Sequence, residues 1–372
     1  MLVASTLALA VLPGSASAEP FCTDTWTGAN EGLWQTASNW STGKVPSSTD
    51  VACIAAGKTV KVTEGTNQTG VLLDKGTVAI SGGALEITNG LEASSASTLN
   101  LSNGTLTGAG TVDVSGGFVW NGGTMSGSGS TVLASGVSGT IGRVTLKERT
   151  LVNEGTLTWS ESYIVLREGA QFKNQGTFNA NPDGNSISRE GEGTAPLIVN
   201  TGTFQKTEGT GKTRIGVAID NEATVSAKSG HLDFGGGGTS GQSHVGSWSA
   251  ASGAEIAFSE GSYSLGSTVP LSGAITLTDV SVGTPGATVA AGKIEGAAAT
   301  VTLTSTYGLG GTLKLDGPGT STLSSLNLGT NGTLTGAGTV DVSGGFVWNG
   351  GTMSGSGSTV LASGVSGTIG RV

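Results

Sequence analysis

A short unit recurs along the chain: LVNEGTL (151–157), FKNQGTF (172–178), IVNTGTF (198–204) and the variant IDNEATV (219–225). Each copy places apolar residues on both sides of an Asn-x-Gly-Thr core or a close variant. The related stretch VWNGGTM occurs at 119–125 and again at 347–353. Successive asparagines from Asn153 to Asn221 are 21, 26 and 21 residues apart, so the base unit is about 21 residues long.

That period predicts an all-β fold, a right-handed parallel β-helix in which each coil contributes short strands joined by turns. A single coil cannot bury its inward side chains, so coils must stack at about 4.8 Å spacing. Glycine after the asparagine permits a positive φ at a corner. Antiparallel hairpins also use such turns, so β-sandwich modules are the alternative.

Asparagines at one corner of successive coils can hydrogen-bond to one another through their side-chain amides, as they do in cross-β stacks. The repeated unit therefore predicts a structural asparagine ladder. Its expected members are Asn121, Asn153, Asn174, Asn200, Asn221 and Asn349.

An exact internal duplication accompanies the repeat. Residues 103–144 and 331–372 agree at all 42 positions, and weaker similarity suggests that a second, diverged copy starts near residue 310. Solenoids grow by copying coils, because each coil contacts only its neighbours. The match and the printed sequence end together within a repeat, so we expect this chain to be part of a longer protein, with any surface anchor beyond residue 372.

The first 18 residues have the pattern of a secretory signal peptide. An apolar run, Leu2 to Leu12, precedes Pro13-Gly14 and an Ala-x-Ala cleavage pattern at 16–18. The apolar run is too short to span a membrane. We expect cleavage before Glu19 and export of the mature chain.

Residues 19–62 differ from the rest and are predicted to form a small cap before the solenoid of 63–372. Three of the seven tryptophans lie there, at positions 26, 34 and 40, together with both cysteines. In an exported protein, Cys22 and Cys53 are expected to form a disulfide. The end of a solenoid needs covering, and a stapled aromatic cluster serves that purpose. An aromatic sugar-binding platform is the alternative for these tryptophans.

Composition excludes some function classes. Glycine accounts for 66 of 372 residues, charged residues for 12 %, and the formal net charge is −9. Nucleic-acid binding requires clustered basic residues, so a nucleic-acid partner is not expected. The sequence does not fix the oligomeric state.

Sequence motifs for cofactors and metals are weak. EGTGKT (208–213) lacks the first glycine of a phosphate-binding loop, since that position is Lys206. The two histidines, His231 and His244, are too few for a zinc site without further ligands. We therefore expect no cofactor, no metal and no catalytic residue.

The first module resembles the opening of bacterial exported β-helix surface proteins, of the autotransporter-passenger and filamentous-haemagglutinin types. The resemblance is carried by Trp26, Gly28, Trp34, Asn39-Trp40-Ser41, Pro46, Asp50, Ile54 and Gly57, and by GTMSGSGS at 123–130. It implies a surface adhesin, a surface-layer component or a stalk. No Arg-Gly-Asp tripeptide is present.

Nine of the 17 basic residues lie in 143–214, mixed with acidic ones, where stacked coils could align them on one face. A solvated outer face is the first interpretation. The alternative is a polysaccharide lyase or glycoside hydrolase that uses paired carboxylates, or a carbohydrate-binding surface. The candidate ligand-facing residues are Trp159, Glu161, Tyr163, Arg167, Glu168 and Arg189.

The sequence therefore predicts a secreted or cell-surface structural, adhesin-like β-solenoid without catalytic activity. Its expected partner is a cell-surface glycan or a host surface. An extracellular location follows from the predicted signal peptide.

Overall fold

The computed structural model describes residues 21–239, 245–279, 285–291 and 293–370. The predicted signal peptide, 1–18, and His244 lie outside these residues. Strands dominate the described chain, and its only helical element is a 3₁₀ turn at Ala37–Asn39. No described helix has the length and apolar character needed to cross a membrane.

The fold is a parallel β-solenoid of about 15 turns, which confirms the predicted β-helix class. Each turn has three strand positions, which we call faces A, B and C in chain order. Every strand pair in the described residues is parallel, and the one antiparallel contact there is the Trp26–Trp40 bridge. The β-sandwich alternative is therefore wrong.

Face A begins in the cap and continues to the last described turn. After Ala218–Asn221, face A continues through the four consecutive glycines at 235–238. There Ile219 N–H donates to Gly237 O, and Gly238 N–H donates to Ser262 O. Its own strands are Asp24–Thr25, Val51–Ile54, Ser130–Leu133, Thr150–Asn153, Gln171–Asn174, Leu197–Asn200, Ala218–Asn221, Ser262–Ser264, Thr288–Ala291, Thr312–Leu315, Thr333–Gly336 and Thr352–Met353.

Faces B and C form the other two sides of the rod. The strands of face B are Gly32–Leu33, Thr59–Val62, Ser138–Ile141, Thr156–Trp159, Thr177–Ala180, Thr203–Lys206, Thr224–Ala227, Ser247–Ala250 and Ser358–Leu361. Those of face C are Thr66–Thr69, Ala84–Ile87, Thr105–Thr107, Thr124–Met125, Val144–Lys147, Ile164–Arg167, Ser186–Arg189, Lys212–Ile215, His231–Phe234, Glu255–Phe258 and Gly367–Ile369.

Seven longer strands turn a corner and belong to two faces. Val71–Ile80, Ser94–Leu101 and Val112–Trp120 join faces A and B, whereas Thr268–Leu277, Lys293–Leu303, Thr320–Leu328 and Thr339–Trp348 join faces B and C. Val112–Trp120 has the same sequence as residues 340–348 of the strand Thr339–Trp348. The duplicated block has therefore been shifted by one face around the rod.

The core runs along the axis of the rod and follows the period of two in each strand. In the middle turns it is aromatic: Phe178 contacts Phe204 at 5.0 Å between ring centroids, and Phe234 contacts Trp248 at 5.1 Å. Such contacts between rings of successive coils tie the turns together beyond the burial of apolar area.

The N-terminal cap is built around the tryptophans and the disulfide. Trp26, Trp34 and Trp40 are buried, and Trp40 makes edge-on contacts with both of the others. Because the three rings are shielded from solvent, they do not form an exposed sugar-binding platform. The predicted Cys22–Cys53 disulfide is confirmed, with a Cα–Cα distance of 5.8 Å.

Candidate functional site

Trp159 is the clearest correction among the candidate ligand-facing residues. It ends the face B strand Thr156–Trp159 and is fully buried. Its indole N–H donates to the backbone oxygens of Glu161 and Ser162 at 3.1 and 2.8 Å. The ring points into the core and cannot stack on a sugar.

The other candidates lie at the surface, on or beside face C. Glu161 and Tyr163 are exposed in the turn before the strand Ile164–Arg167. Arg167 forms an ion pair with Glu190, and Lys147 Nζ lies 3.1 Å from Glu168 Oε2. Two of the candidate residues, Arg167 and Glu168, are thus engaged in ion pairs with charged side chains of adjacent coils.

Arg189, the remaining candidate, is also exposed. Its guanidinium donates to the backbone oxygen of Gly193 at 3.1 Å. This contact closes the local turn, and Arg189 is not brought together with the two glutamates of the candidate set by any contact in the described residues.

A denser charged cluster lies further along face C and was missed by sequence reasoning. Arg214 donates to Asp233 Oδ2 and Ser259 Oγ, both at 2.9 Å, and forms an ion pair with Glu260. Lys212 Nζ lies 3.4 Å from the same Asp233 oxygen. The partners of Arg214 come from two following coils, 19 to 46 residues away, so no local motif announces the cluster.

His231 and Glu255 lie on neighbouring strands of the same face. Their side chains meet at 2.7 Å between Nδ1 and Oε2, and His231 remains partly exposed. A histidine oriented by a carboxylate can act as an acid or a base. Here the pair lies on the flat outer side of face C, beside the Arg214 cluster.

The stretch EGTGKT forms a corner and the start of a strand, and holds no phosphate-binding geometry. Lys206, just before it, is fully buried and donates from Nζ to Asn181 O, Asp183 Oδ1 and Thr213 Oγ1 at 2.7–3.0 Å. The hydrogen bond from Lys206 holds the pKa of Asp183 below its usual value. The lysine acts as an internal clamp between coils.

Four of the predicted asparagines form a continuous side-chain ladder at the end of face A. Each Nδ2 donates to the next Oδ1: Asn153 to Asn174 at 2.7 Å, Asn174 to Asn200 at 2.8 Å, and Asn200 to Asn221 at 2.8 Å. All four side chains are buried. Each Nδ2 also donates to a backbone oxygen of the next coil, so the ladder fixes the register of four coils, and Asn153 Oδ1 at its first end has no hydrogen-bond partner in the described residues.

Asn121 and Asn349 do not belong to this ladder, which corrects that part of the prediction. Both are exposed. Asn121 follows the end of a strand on face B, and Asn349 follows the end of a strand on face C. They occupy different corners from the ladder and point away from the core.

A second buried cation, Arg149, was also missed. Its side chain is fully buried, and within the described residues none of its hydrogen bonds goes to a carboxylate. Nε donates to Thr131 Oγ1 at 3.0 Å, and the two terminal nitrogens donate to four backbone oxygens, those of Gly108, Gly110, Ser126 and Ser130, at 2.7–3.3 Å. Burial lowers the pKa of Arg149 to about 10, which leaves it charged at neutral pH.

Among the described residues, no group of three or more histidine, cysteine or acidic side chains is placed to hold a metal ion. No protein-family model, curated protein or solved structure matches the chain.

Proposed function

We propose that this chain is a secreted or cell-surface structural, adhesin-like β-solenoid of the exported-rod kind, without catalytic activity. In this proposal the molecule works by its geometry, as a stalk or spacer. Its outer faces present polar side chains to a cell-surface glycan or a host surface, and the core holds the rod straight.

The observation that carries the proposal is the exact 42-residue copy. The second copy is accommodated by the same continuous rod, although it is shifted by one face. A rod tolerates added turns because each turn contacts only its neighbours. A catalytic cleft gains nothing from such copying.

The charges support the same interpretation. Arg149 and Lys206 are buried clamps between coils, and Arg167, Lys147 and Arg214 are engaged in ion pairs.

About 15 turns at about 4.8 Å correspond to a rod of about 70 Å.

A coil deletion tests the proposal. Removing residues 154–200 joins Asn153 to Thr201 and takes out two whole turns. Asn153 and Asn200 occupy the same position in their coils, so the new junction reproduces the native Asn200–Thr201 corner. We expect a folded protein that is about 10 Å shorter by small-angle X-ray scattering, with unchanged circular dichroism per residue. Loss of folding would contradict the modular rod. Export is tested separately, by N-terminal sequencing of the secreted chain, which should begin at Glu19.

The cluster of Arg214, Asp233, Glu260, His231 and Glu255 favours polysaccharide cleavage as the second candidate, because it brings acids and a histidine together. A polysaccharide-degradation screen decides between the two. Release of reducing sugars that is abolished by Glu260→Gln or Glu255→Gln would overturn the non-catalytic proposal. Binding on a glycan array without turnover would support the adhesin-like function.

A further inference from the structure

A groove of about 480 Å³ lies on the outer side of face A, beside the N-terminal cap. Its floor follows one row that the strand register brings together from five successive coils: Thr25, Cys53, Leu73, Ser95 and Asp113. The steps between these coils, at about 4.8 Å each, make the groove about 19 Å long. It therefore runs along the side of the rod and crosses the strands.

The corners on both sides of face A supply the walls of the groove. Ala93 precedes the strand Ser94–Leu101 on one side, and Ala55 and Lys75 lie towards face B on the other. Cys22, the disulfide partner of the floor residue Cys53, also lines the groove. The described lining is mostly aliphatic or small and contains no aromatic ring on which a sugar could stack.

Two apolar side chains next to the lining in the chain are almost fully exposed. Phe21, which directly precedes Cys22, is 87 % exposed, and Leu91, two residues before Ala93, is 98 % exposed. Apolar side chains in water forgo the free energy that burial provides, and their exposure beside a groove is typical of a contact surface. They favour a partner that brings apolar side chains of its own.

Two opposite charges, Lys75 and Asp113, also line the groove. In the part of the chain that the structure describes, neither of them forms an ion pair. Burial and the nearby charge of Glu154 raise the pKa of Asp113, so a cation placed beside this carboxylate would be stabilised. Lys75 and Asp113 belong to coils two steps apart, about 10 Å along the rod, which an extended peptide spans with about three residues.

We propose that this groove binds an extended peptide segment of a partner protein, in which aliphatic residues separate a basic side chain from an acidic one. The basic side chain pairs with Asp113, and the acidic side chain pairs with Lys75. The aliphatic residues cover Leu73 and the disulfide. Because the groove crosses the strands, the peptide lies along the rod and adds no strand to the sheet. This partner is additional to the glycan of the proposed function.

The first test uses the full 372-residue chain and the synthetic peptide KVAEVA, acetylated and amidated, whose opposite charges are three residues apart. Ligand-observed NMR should show saturable binding. The matched peptides QVAEVA and KVAQVA each lack one ion pair and should bind about two- to fivefold more weakly. Equal binding of the three peptides, or no saturable binding at millimolar concentrations, would overturn the proposal.

A matched pair of protein variants locates the basic side chain of the peptide. Asp113→Asn should weaken binding of KVAEVA about two- to fivefold and should leave the affinity for QVAEVA unchanged. Asp341 is the exact duplicate of Asp113 but lies on face B, so Asp341→Asn should change neither affinity. If Asp113→Asn has no effect on KVAEVA, or weakens both peptides equally, while circular dichroism shows a native fold, the proposed pairing is wrong.

The apolar contact has a separate test at an exposed position, where a substitution does not endanger folding. Leu91→Ser should weaken all three peptides about threefold, because it removes apolar area from the contact. Leu309→Ser, at another exposed leucine outside the groove, is the control and should have no effect. Equal affinities in these two variants would contradict the role of Leu91.

A competition arm distinguishes the peptide from a glycan. Displacement of KVAEVA by cellohexaose, a neutral glycan chain, would assign the groove to glycan binding and would overturn the proposal. Failure of cellohexaose to compete is the expected result. The coil deletion of 154–200 leaves every lining residue of the groove in place, so a failed peptide test and a failed rod proposal are separate results.

Discussion

Residues 103–144 and 331–372 have the same sequence and form matching strands, yet the ends of the two blocks are buried to different extents. Leu133 is fully buried, whereas its equivalent Leu361 is 38 % exposed. Ile141 is 4 % exposed, and its equivalent Ile369 is 64 % exposed. Identical side chains on matching strands thus experience different environments.

The cause lies in the neighbouring coils. Ser130–Leu133 is paired on both sides, with Val112–Trp120 and with Thr150–Asn153. Ser358–Leu361 is paired only with Thr339–Trp348 among the described residues. Burial in this molecule is therefore a property of stacking, and a strand has no core of its own until coils lie on both sides.

The largest expected effect concerns Arg149, whose fully buried guanidinium donates to backbone oxygens of the first block. Arg149→Met should destabilise the chain by about 3–5 kcal/mol, because buried backbone oxygens lose their donors. Urea unfolding followed by tryptophan fluorescence measures the loss. Arg189→Met, at an exposed arginine, is the control and should change stability by less than about 0.5 kcal/mol. Similar losses of stability in the two variants would contradict the stabilising role of the buried Arg149.

The buried carboxyl of Asp74 is expected to affect stability by a similar amount. It lies on face A, in register with residues of the following coils that end at Leu133. Asp74 pairs in register with Ala96, and Val114 connects Ala96 to Leu133. Burial raises the pKa of Asp74 from 3.8 to about 7. The folded chain holds this proton more tightly than the unfolded chain, so stability falls as pH rises from about 4 to about 7 and is then constant. The loss is on the order of 4 kcal/mol at 1.36 kcal/mol per pKa unit.

Asp74→Asn should remove most of this pH dependence and should raise the unfolding midpoint at pH 8 while leaving it near the wild-type value at pH 4. Asp341→Asn, on the outer side of face B in the second block, is the control. A wild-type chain that is equally stable at pH 4 and pH 8 would show that Asp74 is not buried in the way the structure indicates.

The next expected effect is the direct test of the two blocks. Leu133→Ala should cost about 3 kcal/mol, because it removes buried methyl groups and leaves a cavity. Leu361→Ala should cost less than about 1 kcal/mol, since part of its side chain already contacts solvent. The two variants differ by position alone. Equal changes in the urea midpoint would refute the role of stacking.

The smallest expected effect compares asparagines inside and outside the ladder. Asn200→Ala should destabilise the chain by about 1–3 kcal/mol, because the amides of Asn174 and Asn221 lose a buried partner. Asn349→Ala, at an exposed corner, should change stability by less than about 0.5 kcal/mol. Hydrogen exchange at residues 171–227 should increase in the first variant only.

The period and the glycine turns were sufficient to predict the solenoid, because coil length and inward alternation are local properties of the sequence. The disulfide was predictable for a different reason, because two cysteines in a chain that is expected to be exported allow only one pairing. The buried contacts of Arg149 and Lys206 between coils were not predictable. The acceptors of Arg149 lie 18 to 41 residues before it, and only stacking brings them together.

Two errors about individual residues share one cause, strand alternation. In TLVN the inward Leu151 is two residues before Asn153, so the asparagine also points inward. In FVWN the inward Trp120 directly precedes Asn121, so that asparagine points outward. Trp159 follows the inward Leu157 by two residues and is inward in turn. Counting in steps of two from a core residue would have corrected the predictions for Asn121 and Trp159.

The one-face shift between the copies has a consequence for any longer array. Val119 is displayed on face B, and its duplicate Val347 is displayed on face C. Further copies at the same interval would each shift by one more face around the axis. Equivalent side chains of three successive copies would then lie on three different faces. Such an array would contact its surroundings from every side, although each copy carries the same single-sided pattern.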